Sequence, residues 1–158
     1  MGRCAVALFV IAVCSSCRGG DDRSHDSAFG ALQERGQLEM GVDQYASAHV
    51  FEPLPDGGRI ALQMKAADPT GESVIRDHMR DIARAFGSGD FAIPGRVHAI
   101  ENVPGTATMR RLRADISYTP RDLDRGGEVR IKTGNREAIA AIHEFLAFQR
   151  QDHRAGMH

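Results

Sequence analysis

The chain holds seven histidines (His25, His49, His78, His98, His143, His153 and His158), and imidazole is both the commonest metal ligand and the side chain that titrates nearest neutral pH. Combined with methionine it suits copper or haem iron. His49, His78, His98 and His143 form the candidate set for a metal ion or haem: His49 falls opposite Met64 in the expected strand pairing, His78 edges an apolar helical stripe, and His98 lies in a long connection. Their spacing matches no standard metal signature, since there is no HExxH motif and no two histidines stand at i, i+4. Without a metal, the same residues read as boundary side chains bonded to backbone or carboxylates.

Other chemistries find less to stand on. Cys4, Cys14 and Cys17 are the only cysteines, and no serine sits in a G-x-S-x-G elbow, so an activated nucleophile has no visible seat. No carboxylate pair is singled out among the acidic residues. Gly57-Gly58 and Gly126-Gly127 each join strand to strand rather than strand to helix, which makes them turn glycines and not phosphate loops. Arg110 and Arg111, with Met109 and Arg113 on the same short helix, are a candidate binding surface for anionic lipid heads or a partner protein. The plainer reading is a solvated helix face. A net charge of -1 provides no global attraction to nucleic acid.

The elements that would position these residues follow from periodicity. Ile60, Leu62 and Met64 alternate with Arg59, Ala61, Gln63 and Lys65, and Val129 and Ile131 alternate with Glu128, Arg130 and Lys132, so each run reads as a strand with one wet face. A strand 46–54, a turn Pro55-Asp56-Gly57-Gly58, a strand 59–66 and a helix opening at Asp68-Pro69 make one unit. A strand 114–119, a turn ending Arg125-Gly126-Gly127, a strand 128–133 and a helix opening at Asn135 repeat it. The hairpin turn is expected at Asp56-Gly57 or across Pro55 to Gly58, placing Phe51 opposite Leu62 and His49 opposite Met64.

Ile75, Met79, Ile82 and Phe86 line one face of the first helix, and Ala138, Ile142, Phe145 and Leu146 line the second, with His153 extending that stripe and His143 flanking it. Gly89 to Arg113 reads as a long surface connection with a short helix from about Thr106. The expected fold is α+β: a duplicated ββα unit forming a four-stranded antiparallel sheet with two long helices on one face.

Arg3, the apolar run AVALFVIAV and the ending Cys14-Ser15-Ser16-Cys17 have the layout of an export signal with a lipobox-like end, residues 1–17. Cys17 would carry the lipid anchor, while Cys4 and Cys14 leave with the signal. Residues 18–44 are polar and Gly-containing and read as a flexible tether, and 45–158 as a single domain without disulfides.

The stretches AHVFEPLPDGG (48–58), IRDHMRDIARAFGSGDFAIPGRVHAI (75–100), VPGTATM (103–109) and AIHEFLAFQRQDH (141–153) resemble a family of small exported bacterial proteins. The likeness spans roughly residues 33 to 156 and implies an exported globular domain without naming an activity. Some members bear the label aspartate carbamoyltransferase. That enzyme is similar to a cytosolic chain twice this length with a Ser-Thr-Arg-Thr-Arg phosphate loop, and no such run occurs here. The expected function is therefore non-catalytic: an exported domain, membrane-anchored as a lipoprotein on the periplasmic or cell-surface side, binding a protein or small molecule. A histidine-based metal or haem protein is the alternative, and an uncatalogued enzyme ranks below both.

Overall fold

The computed structural model describes residues 21–155, with side chains from residue 27 onward. The export signal, Cys17 and the side chains of His25 and His158 lie outside the described residues. In chain order the elements are α1 (Asp21–Met40), β1 (Ser47–Leu54), β2 (Gly57–Met64), α2 (Pro69–Ser88), α3 (Ala92–His98), α4 (Thr106–Arg111), a single 3-10 turn (Arg113–Asp115), β3 (Ile116–Leu123), β4 (Gly126–Thr133) and α5 (Arg136–Asp152). The fold is α+β, with one four-stranded antiparallel sheet in the order β1-β2-β4-β3. No helix among the described residues is long and apolar enough to cross a membrane.

Duplication is visible atom by atom. Adding 69 to a residue of the β1–β2 hairpin gives its equivalent in β3–β4, and the central strands pair Ile60 with Val129, which are themselves equivalents. A pseudo-twofold axis therefore passes through that pair. It relates Met64 N donating to Arg125 O (2.8 Å) with Thr133 N donating to Asp56 O (2.9 Å). Both long helices start as their sequences require. Asp68 Oδ1 accepts from Gly71 N (3.1 Å), and Asn135 Oδ1 accepts from Glu137 N (3.0 Å) and Ala138 N (3.4 Å), each satisfying donors that an α-helix leaves open in its first turn.

The two helices share one face of the sheet, but each crosses over: α2 packs on β3 and β4, and α5 on β1 and β2. The core between them includes Ile75, Met79, Phe86, Ile142, Phe145 and Leu146, all at most 2% exposed. Each such side chain contributes about 1.5–3 kcal/mol by leaving water. Because the apolar face of each helix is buried on the twin hairpin, neither ββα unit encloses a core alone. The other sheet face is roofed by ion pairs, Arg59 with Glu52 (2.8 Å) and with Glu128 (3.2 Å), and Arg130 with Asp56.

Four sequence expectations are corrected. The hairpin turn is Pro55-Asp56 with Leu54 opposite Gly57, so Phe51 faces Ile60 and His49 faces Leu62, two residues from the expected register. The shift is even, so every side chain keeps its face. β3 runs through Pro120 to Leu123 because it is an edge strand, where a missing N–H does no harm. The connection after α2 contains α3 and buries Phe91, Val97 and Val103 rather than running over the surface. The tether reading fails for Asp21–Met40, which is helical. Few apolar residues hold α1, chiefly Leu32 and Met40; it docks through Arg35 Nε donating to Val97 O (2.7 Å) and a bidentate Arg96–Glu39 pair (2.7 Å each).

Candidate functional site

His49 and Phe51 stand two apart on β1 and so share its helix-facing side, their rings stacked at 5.4 Å and 6°. The end of α5 meets them there. His153 lies 4.8 Å from the His49 ring and 5.3 Å from Phe51, and His98, the last residue of α3, meets His153 edge-on at 5.1 Å. Beside this aromatic row opens a cavity of about 60 Å³, walled by Met40, Phe51, Met79, Phe86 and Phe145, with His49, His78 and His153 at its edge. A wider vestibule of about 380 Å³ lies on the far side of the His49–His153 pair, between α1 and Gln44, Tyr45 and Lys65. The two imidazoles thus form a partition between an apolar chamber and a wetter one, and α1 supplies a wall to each.

Burial keeps the partition neutral. It lowers His49 to about 4, helped by the charges of His78 and His98, and lowers His153 to about 2, helped by His49 and His98 and opposed by Asp152. His78 is also lowered by burial, against the pull of Asp81 and Glu39. Neutral imidazole is the metal-binding form. Even so, among the described residues no three His, Cys, Asp or Glu side chains come together to hold a metal.

The proposed quartet in fact divides. His49 and His78 reach the chamber, whereas His98 has both ring nitrogens engaged, Nδ1 with Asp152 Oδ2 and Nε2 with Gln149 Oε1 (2.9 Å). His143 lies elsewhere: its Nε2–H is shared between the carbonyls of Leu54 (2.9 Å) and Gly57 (3.0 Å). The duplication explains that role. Its equivalent on α2, Arg76, bonds the matching carbonyls Gly126 (3.1 Å) and Leu123 (3.0 Å), so both residues pin a long helix to the twin hairpin's turn. A chamber with room for a few water-sized groups does not admit a porphyrin.

The basic surface is likewise tied into the domain. Met109 is fully buried in the core and cannot meet a partner. Arg110 Nε donates to Gly89 O (3.0 Å) at the end of α2, and Arg111 pairs with Glu137 of α5.

The residue that sequence reasoning passed over is Gln149. It is 4% exposed, lines the chamber, and its Nε2 has no hydrogen-bond partner among the described residues. No family model, no curated protein and no solved structure matches this chain. The signal for Gln149 was internal. Aligned on the caps Asp68 and Asn135, Gln149 takes the place of Ile82, and His153 that of Phe86, so the second unit carries polar groups where the first is apolar.

Proposed function

We propose that this domain binds a small molecule whose compact apolar part carries one hydrogen-bonding group, seated in the chamber with any remaining part in the vestibule. The Gln149 Nε2, without a partner among the described residues, carries this reading, because a buried amide end left without a partner is unfavourable by about 1–3 kcal/mol and a ligand that meets it recovers that energy. An apolar pocket with one or two convergent polar groups is the usual form of a small-molecule site. Asp152 and His98 are arranged like the orienting half of a catalytic relay, but Nε2 faces an amide rather than a hydroxyl or thiol. The pair positions Gln149, which favours binding over catalysis.

The test uses isotope-labelled protein titrated with cyclopentanone and with cyclopentene, rings of similar shape with and without an acceptor. Cyclopentanone should perturb backbone amides near Phe86, Gln149 and His153 and bind about three- to tenfold tighter. Gln149→Met should erase the difference. If neither ring perturbs these residues, the binding reading is wrong.

We also propose that the domain is exported and held at a membrane through lipidated Cys17, as its lipobox-like segment suggests. Expressed as the full chain in bacteria, the protein should sediment with membranes and need detergent for release, while Cys17→Ser should be freed by buffer alone. Equal behaviour of the two would remove the anchor.

A further inference from the structure

Helix α1 runs over hollows as much as over packed core. Its buried residues Leu32, Gly36 and Met40 stand four apart and make a stripe one residue wide. Beside that stripe, Met40 walls the chamber, Phe29 and Gln33 wall the vestibule, and Leu32 and Arg35 line a third hollow of about 360 Å³ next to His98 and Asp152. The main neighbour of α1 is α3, followed by α2.

Arginine supplies the hold that apolar contact does not. Arg35 Nε donates to Val97 O (2.7 Å), Arg96 of α3 clasps the Glu39 carboxylate with two bonds (2.7 Å each), and Arg154, just past α5, lies 4.3 Å over the Phe29 ring. The Arg96 side chain is 55% exposed, so water and salt reach the clasp. At its other limit α1 ends on Gly41, whose φ of 73° is left-handed and whose N–H closes on Gln37 O (2.8 Å). The residues that follow are tied to one another: Tyr45 N donates to Asp43 Oδ1 (2.7 Å) and Ser47 Oγ to Asp43 O (3.0 Å), with Val42 buried. Gly41 is thus a joint between a helix and a fixed turn, the kind of element-terminal position that absorbs the rotation when a lid moves.

We propose that α1 is a lid, clasped shut by Arg96 on Glu39 and released at Gly41, whose opening is the route into the chamber and vestibule. What it admits rests on the binding reading above; the motion itself is measured without a ligand. Once released, a 20-residue helix of this polar composition is marginal in water, so its amides lose protection when the lid opens.

The experiment follows hydrogen exchange in the full chain by peptide mass spectrometry. Peptides from 29–40 should exchange well before those of β2, β4 and α5. Glu39→Gln, which removes the anionic half of the clasp, should speed α1 about two- to fivefold and leave the sheet peptides and the urea midpoint unchanged, a local effect that general destabilisation would not give. Glu34→Gln, at an exposed acid on the same helix, should change nothing. Raising salt to about 0.5 M should speed the wild-type α1 toward the Glu39→Gln rate and barely alter the variant. Cyclopentanone line shapes supply the second readout: in Glu39→Gln its association and dissociation rates should rise together, about two- to fivefold, with little change in affinity. If α1 exchanges in step with β2 and α5, the lid is wrong and the binding reading stands. If α1 is accelerated while the ring's rates are not, α1 opens but is not the entrance, and the inference fails. If cyclopentanone perturbs nothing, the binding reading falls, and the exchange pattern alone decides whether α1 opens.

Discussion

Gly126→Ala is expected to destabilise the fold by about 3 kcal/mol or more, a large effect for one methyl group. A Cβ at Gly126 would lie 2.1 Å from Leu62 O and 2.9 Å from Gln63 Cα, both backbone atoms of β2 that cannot swing aside. Gly126 has no positive φ, so the loss is crowding alone. Its equivalent, Gly57, would bring Cβ to 2.3 Å from Ile131 O and sits at φ 137° besides, so Gly57→Ala should be at least as damaging. Gly134→Ala is the control. Among the described residues nothing lies within 4 Å of that Cβ, and the change should be neutral or stabilising by up to about 1 kcal/mol. Urea midpoints for the three variants give the comparison. A Gly126→Ala protein within about 1 kcal/mol of wild type would mean that β2 and β4 do not pack against one another as described.

Those two glycines show what sequence could and could not reveal. That a glycine pair ends each hairpin was legible, and so were the strand faces, the Asp68 and Asn135 caps and the apolar stripes, because each is set by neighbours within a few residues. The reason for the glycines was not legible. It lies in the β2–β4 pairing, which joins residues 69 apart at the pseudo-twofold axis, and in the crossing of each helix onto its twin's hairpin. The register was misjudged by two residues because the Asp-Gly signal centred the turn on Asp56-Gly57, whereas Gly57 and Gly58 already belong to β2, opposite Leu54 and Pro53. α1 was hidden by composition: its anchors, Arg35 on Val97 O and Glu39 on Arg96, are polar and far apart in sequence, while Leu38 is 85% exposed.

For the candidate site, the histidines drew attention by type alone. That gathered His49, His78 and His98 near one chamber but also took in His143, whose work is shared with an arginine. His153 appeared only as the tail of a stripe. Gln149 broke the apolar pattern of α5, and comparison with Ile82 in the first unit would have exposed it, whereas a search for titrating or metal-binding residue types could not.

Acidification should weaken this protein well before its carboxylates titrate. The chamber partition is neutral in the fold, with His49 lowered to about 4 and His153 to about 2, while in the unfolded chain both take up a proton near 6.5. Between those values the unfolded state binds more protons, so stability falls as pH falls. The stabilisation is complete above about pH 6.5 and drains away as pH drops toward the folded values. One pKa unit corresponds to about 1.4 kcal/mol, so the pair together should lose on the order of 3–5 kcal/mol between pH 7 and pH 4.5, against a total stability of about 5–15 kcal/mol for a domain of this kind.

Their neighbours push both ways: His78 and His98 add positive repulsion, and Asp152 opposes it. The acids held low by arginine, Glu39 beside Arg96 and Asp56 beside Arg130, act in a separate window, since their contribution is lost only as pH falls below the ordinary carboxylate range. His153→Leu keeps an apolar group against Phe51 and removes one of the two protons, so its stability should decline by about half as much over the same interval. Urea midpoints measured from pH 7 to pH 4.5 separate the cases. Parallel curves for wild type and His153→Leu would show that the imidazole pair is not the acid-sensitive element, and that the partition is solvated rather than dry.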